Sequence, residues 1–273
     1  MKNLFVFDIE TIPDIDSVFN LTGNESLDVN LLRQSLKDYH LDVTQGKNDF
    51  LRQPFHKVVA ISFAIFEIDY VDNLEFYSLK DIRSGGDINS KEKDLILGFF
   101  KIIKKLKARL VSFNGRTFDI PVLKYRAMKY GIASEYFYKT GDKWNNYNNR
   151  YSLDYNCDLL DAFSDFGSSA RIKMNEVCSI FDFPGKFGVD GSKVDELYDL
   201  GKLKEIRDYC ETDVLNTSLL YLRYALHIGK ININGYNEAL KSIITFIDNN
   251  EILHLKEFKK AWEISCKGDF YLS

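Results

Sequence analysis

Residues 3–11 read Asn3-Leu4-Phe5-Val6-Phe7-Asp8-Ile9-Glu10-Thr11: four unbroken apolar residues, then two acids around one isoleucine. A strand covered on both faces reads as a continuous apolar run, so Leu4–Phe7 predicts a buried strand. The change to Asp-Ile-Glu marks its exit at a polar edge. Period 2 then sets Asp8 and Glu10 on one face and turns Ile9 into the opposite packing layer. Two carboxylates side by side repel unless something positive lies between them. Alone, the pair reads equally as a solvated edge or a helix cap.

Working outward, residues 14–54 are polar, mixed and aperiodic, and read as an insertion with a helix over Asn30–Tyr39. Strand character returns at Lys57–Ile68 and Leu74–Leu79 around Asp72-Asn73, a hairpin that makes the sheet partly antiparallel. Ser90 is the expected N-cap of a helix running to Lys107 with acids in its first turn. Arg109–Phe113 predicts a short strand and Phe118–Lys129 an amphipathic helix after a glycine turn. Residues 135–155, rich in Tyr and Asn, read as a loop, and Asp158-Leu-Leu-Asp161 as the end of a further strand. Helices are predicted over 172–182, 193–200 and 203–227, and a helical tail from Ile233. This order predicts an α/β fold, a mixed central sheet with helices on both faces.

The 273 residues are 45% hydrophobic and 28% charged, enough to bury a sizeable core. With 36 Lys/Arg against 40 Asp/Glu, the net charge of −4 excludes a chain that coats nucleic acid by bulk electrostatics. A local basic surface is still compatible: residues 91–131 carry eleven Lys/Arg and three acids. They read as solvated helix faces or as a phosphate-tracking surface. The aromatics of 136–151, among them Tyr138, Trp144 and Tyr151, either stack on bases or pack the loop onto the sheet. The apolar opening stops at Asp8, too short for a signal peptide core, and no run approaches the roughly 18 residues of a membrane span. Cys157, Cys178, Cys210 and Cys266 form no CxxC pair and read as buried, reduced thiols of a cytoplasmic protein. The four histidines lack HxH, HExxH or HxxxH spacing, which argues against zinc and histidine-dependent chemistry.

Two further patches join Asp8 and Glu10. Asn114-Gly-Arg-Thr-Phe-Asp119 follows the Arg109–Phe113 strand, and Tyr209-Cys-Glu-Thr-Asp213 lies within the strongest helix. Asp119 is also well placed to stabilise a helix N-terminus, and Tyr209 with Asp213, one turn apart, also reads as a buried hydrogen bond. Taken together, Asp8, Glu10, Asp119 and Asp213 converge if the two strands are neighbours and the helix crosses their ends. Four carboxylates without histidine make a hard-oxygen site for Mg²⁺ or Mn²⁺. Two such ions about 3.5–4 Å apart support in-line attack of water on a phosphodiester.

In this order DIET, NxxxFD and YxxxD resemble the three motifs of the DEDD 3′–5′ exonucleases, of ribonuclease H-like fold. Tyr209 marks the DEDDy branch, since the histidine branch needs histidine where this chain has Asp208. DLLDAF at 158–163, PGK at 184–186, VDG at 189–191 and YCETDVLNTSLLYLR at 209–223 resemble the exonucleases related to family B DNA polymerases. The resemblance covers about residues 3–228. It implies that Asp8, Glu10, Asp119 and Asp213 hold two divalent ions and that Tyr209 orients the attacking water. A tyrosine with pKa near 10 is a poor general base, so positioning and the metal ions must supply most of the rate. By the same resemblance Thr11, Asn114 and Phe118 touch the terminal nucleotide, with Arg116 beside them. The expected domains are an exonuclease domain at 1–230, including the 14–54 insertion, and a helical C-terminal extension at 231–273. That extension is too short for a polymerase domain, so a stand-alone nuclease is expected. The implied partner is a single-stranded nucleic acid with a free 3′ end, DNA in the first instance, cut to nucleoside 5′-monophosphates, with no membrane involved. The alternatives are an exoribonuclease and a catalytically inactive binding module of the same fold.

Overall fold

The computed structural model describes residues 1–186 and 193–273. Five strands, β1 (Asn3–Pro13), β2 (His56–Val71), β3 (Leu74–Ser84), β4 (Arg109–Ser112) and β5 (Asn156–Asp158), form one sheet in the order β3-β2-β1-β4-β5. β2 runs antiparallel to β1 and β3, whereas β4 and β5 run parallel to β1. The hairpin turns at Asp72 and Asn73, both in the left-handed region (φ 50° and 66°), as a two-residue hairpin loop requires. Because β1 and β4 are parallel neighbours, their carboxyl ends leave the sheet at the same edge. That edge receives Asp8-Ile-Glu10 and the turn after Ser112.

The helices are α1 (Val18–Thr22), α2 (Val29–Val43), α3 (Glu92–Leu106), α4 (Asp119–Lys129), α5 (Glu135–Lys139), α6 (Leu159–Phe163), α7 (Met174–Ile180), α8 (Val194–Asp199), α9 (Leu203–His227), α10 (Ile233–Asn249) and α11 (Leu253–Ser265). The two-residue period of β1 sorts them into layers. Phe5, Phe7 and Ile9 pack with Phe99 and Ile103 of α3 and Leu123 of α4. Leu4 and Val6 face the other way into a cluster with Val214 and Leu215 of α9. Ile243 of α10 and Trp262 of α11 belong to that same cluster, so the core continues through the residues that follow 230. This is the expected α/β arrangement, a mixed sheet with helices on both faces.

Four local expectations need correction. Ser90 does not cap α3: its hydroxyl accepts from the Asp87 N–H in the preceding turn, and Lys91 takes the N-cap position. The first strand does not exit at Asp8-Ile-Glu10: β1 stays paired with β2 as far as Pro13, through a register shift between Glu10 and Thr11. Glu92, by contrast, is the first-turn acid expected of α3, and it is buried and paired with Arg126. The Asp158–Asp161 segment is a strand end only to Asp158, whose carboxylate then caps α6 through the Leu160 N–H. Residues 135–139 of the expected loop form the short helix α5.

The basic stretch is also divided. Arg109 is buried against Glu75, and Arg126 is buried between Glu92 and Asp14. Lys93, Lys101, Lys104 and Lys105 are exposed along α3. The aromatic loop splits too. Tyr147 is fully buried and donates to the Ala108 carbonyl at 2.8 Å, while Tyr138, Trp144 and Tyr151 stay exposed. Among the described residues no helix is long and apolar enough to cross a membrane.

Candidate functional site

Asp8 and Glu10 leave β1, half-buried, on the face covered by α9, which lies across β1 and β2. α9 delivers Tyr209 and Asp213 to the same place, 4% and 1% exposed. The third contribution comes from the turn after β4. Asn114 stands at φ 70°, a conformation that asparagine tolerates better than most residues. At Gly115 a Cβ would lie 2.2 Å from Ser112 Oγ and 2.5 Å from its Cβ, so only glycine fits. The Asp158 carboxylate accepts the N–H groups of Asn114 and Arg116 at 2.8 and 2.9 Å and so holds the turn closed. Closing it sets Asp119 at the start of α4, 3% exposed.

The four acids act on one another. Burial first, then the charge of Asp213, lifts the Asp8 carboxyl from an ordinary 3.8 to about 7. Burial pushes Glu10 well above its usual range, with Asp8, Asp213 and Asp119 adding to the effect. Burial and then Asp8 do the same to Asp119. Burial raises Asp213 as well, against the pull of Lys186. Asp119 Oδ1 and Asp213 Oδ1 are buried without a hydrogen-bond partner. Crowded carboxylates with unpartnered oxygens form a donor set that a cation would satisfy, and all-oxygen anionic donors suit a hard divalent ion. The residues present therefore fit the metal that the sequence motifs imply.

Two neighbours were not singled out in the sequence as site residues. Lys186 Nζ donates to Asp213 Oδ2 at 2.5 Å and to the Tyr209 hydroxyl at 2.9 Å, and lies 5.2 Å over the Tyr209 ring. Its backbone is pinned to α9, because Asn216 accepts the Gly185 N–H at 3.1 Å and donates to the Gly185 carbonyl at 2.8 Å. The PGK stretch at 184–186 carried this signal. The VDG stretch at 189–191 lies outside the described residues. Cys210, read as core filler, sits against Asp8 with Sγ 3.7 Å from Oδ2, and its sulfur and one oxygen each of Asp8 and Glu10 lie within 4.8 Å of one another. Burial, with Asp8 and Glu10 adding, keeps this thiol protonated well above its usual range. Burial, then Asp213, likewise holds the Tyr209 phenol above its ordinary 10.

Thr11, Asn114 and Phe118 flank this centre on β1 and on the turn. The Asn114 side-chain oxygen accepts from Arg171 at 2.5 Å and from the Thr117 hydroxyl. The Arg116 guanidinium is committed to the carbonyls of Asn148, Asn149 and Asn156, so it braces the aromatic loop. Exposed Arg171 is the cation that faces Asn114.

Residues 48–262 match the model of a family described as a predicted 3′–5′ exonuclease related to the exonuclease domain of PolB. The family B DNA polymerase from the hyperthermophilic archaeon Pyrobaculum calidifontis is a similar structure, with a TM-score of 0.43 and 16% sequence identity. The match covers 89% of this chain and 29% of that one, so the chain spans less than a third of the polymerase's length. No curated protein matches the chain.

Proposed function

The chain belongs to the family of predicted 3′–5′ exonucleases related to the exonuclease domain of PolB, and from that premise we propose that it removes 3′-terminal nucleotides from single-stranded nucleic acid. DNA is the substrate we assign first, and nucleoside 5′-monophosphates are the product. The observation that carries this reading is the meeting of Asp8 and Glu10 of β1 with Asp119 of α4 and Asp213 of α9, with two buried carboxylate oxygens left unpartnered.

Asp8, Glu10, Asp119 and Asp213 would hold two Mg²⁺ or Mn²⁺ ions. Such ions neutralise the phosphate and activate water for in-line attack. Tyr209 keeps its proton at neutral pH, so its hydroxyl orients the water and does not act as a base. Lys186 donates to that hydroxyl and to Asp213, which fixes the angle of the phenol. Thr11, Asn114 and Phe118 are positioned to hold the terminal nucleotide, and exposed Arg171 to meet a phosphate.

The test is a 5′-labelled single strand of DNA, and one of RNA of the same sequence, incubated with Mg²⁺ or Mn²⁺. A ladder that shortens from the 3′ end and stops at a blocked 3′ terminus supports the reading. Preferential shortening of the RNA makes the protein an exoribonuclease. Binding without shortening makes it a binding module, and cutting of a closed circle overturns exonuclease action altogether.

A further inference from the structure

The insertion before β2 reaches the site described above. Phe50 is 58% exposed, yet its ring lies against two others, with centroids 5.4 Å from His56 and 5.8 Å from Phe118. His56 in turn meets Phe118 edge-on at 4.8 Å. Phe118 precedes Asp119, and Thr11, which follows Glu10, bonds His56 Nδ1 at 2.9 Å.

An exposed aromatic at a fraying loop tip means little, but Phe50 is held from both sides. Its N–H donates to Asn48 at 2.9 Å. The next residue, Leu51, is buried in a small core with Val18 and Leu36. The Arg52 N–H donates to His40 Nε2, and the Gln53 side chain donates to the Thr117 carbonyl at 3.0 Å, tying this segment to the turn that carries Asp119. A fixed, half-open apolar ring beside a catalytic centre is the surface that nucleobases stack on.

The histidine settles the polar side of the same cup. His56 Nε2 faces the Leu51 carbonyl at 3.0 Å, which only accepts, so Nε2 carries the proton. Burial keeps the ring neutral, so Nδ1 is bare and the Thr11 hydroxyl donates to it. The lone pairs of Thr11 Oγ1 remain open to an incoming hydroxyl.

We infer that Phe50, supplied by the insertion and backed by His56 and Phe118, completes an aromatic cup and stacks on the 3′-terminal base, beside Thr11 and Phe118, which the exonuclease reading already sets at that nucleotide. Stacking on a ring favours no particular base, so the cup grips any terminal nucleotide. This inference rests on the exonuclease reading for its substrate, whereas its test reads base binding directly.

Single-stranded DNA carrying 2-aminopurine at the 3′ end, or six nucleotides inward, is titrated with the full chain in Ca²⁺, and its fluorescence is followed. The wild type should quench the terminal base far more than the inner one. Phe50→Ala should lose this quenching and raise KM for trimming about 5- to 150-fold, with kcat changed little. Phe50→Trp should keep both near wild type, and an unchanged melting temperature in each variant separates binding from folding. Equal quenching and KM in Phe50→Ala and wild type would overturn the inference, as would a wild type that quenches neither position. Terminal quenching that depends on Phe50 in a protein that trims nothing would keep the cup and remove the nuclease.

Discussion

At Asp8 the folded chain works against itself. Its carboxyl titrates at about 7 because burial and Asp213 both oppose its charge. Between about pH 4 and pH 7 the folded state therefore keeps a proton that the unfolded chain has released, so raising the pH through that window lowers stability. Asp8→Asn removes the effect. Metal-free melting temperatures should show the variant gaining on the wild type as pH rises across the window, and a constant gap would mean that Asp8 is not crowded. Asp213 differs, because Lys186 already compensates it, so Asp213→Asn leaves an ammonium without its carboxylate and should not stabilise. Tyr209→Phe removes only the hydroxyl that Lys186 holds. A positioning group of this kind is worth up to about 10²–10⁴-fold, so kcat should drop into or just below that range with KM little changed. Unchanged single-turnover rates would take Tyr209 out of the reaction. The acids and the tyrosine were legible in the sequence because each stands in a short ordered motif. Lys186 was not, because its partners lie 23 and 27 residues away and only the packing of the 184–186 segment on α9 brings them together.

Among the elements, the turn from β4 into α4 decides the site's geometry. The strand, the glycine turn and the helix were all legible, since apolar period and turn residues act over a few neighbours. The reason for glycine at 115 was not, because it is the Ser112 side chain that excludes a Cβ. Gly115→Ala should push the turn off β4, destabilise the protein by about 1–3 kcal/mol as overpacking does, and displace Asp119. Urea unfolding together with the trimming rate checks both, and a variant with wild-type midpoint and rate would show that the turn has room. Ser90 teaches the opposite lesson. Its position was a sound capping signal, but the Asp87 N–H took the hydroxyl first.

Over the whole molecule, the insertion is joined to the sheet's helical layer through Arg126, whose guanidinium is buried between Asp14 and Glu92. Arg126→Met leaves both carboxylates buried with less compensation, Lys129 remaining on Asp14. Loss of one partner from a buried pair typically costs about 3–5 kcal/mol, and urea unfolding should register a loss of that size. A loss under about 1 kcal/mol would mean that water reaches the pair. By itself the sequence determined the buried strand that carries Asp8-Ile-Glu10, though not its continuation to Pro13, and the hairpin, the helices and the ordered motifs, because apolar period, turn chemistry and motif spacing are properties of near neighbours. Charge counting over 91–131 treated Arg109 and Arg126 as surface, since composition does not say which cations meet a buried acid. Only the tertiary structure decided that those two are buried, that Lys186 and Cys210 adjoin the carboxylates, and that Phe50 faces Phe118. Each of these rests on contacts between residues at least 23 apart in the chain, which form when the layers pack and leave no local pattern behind.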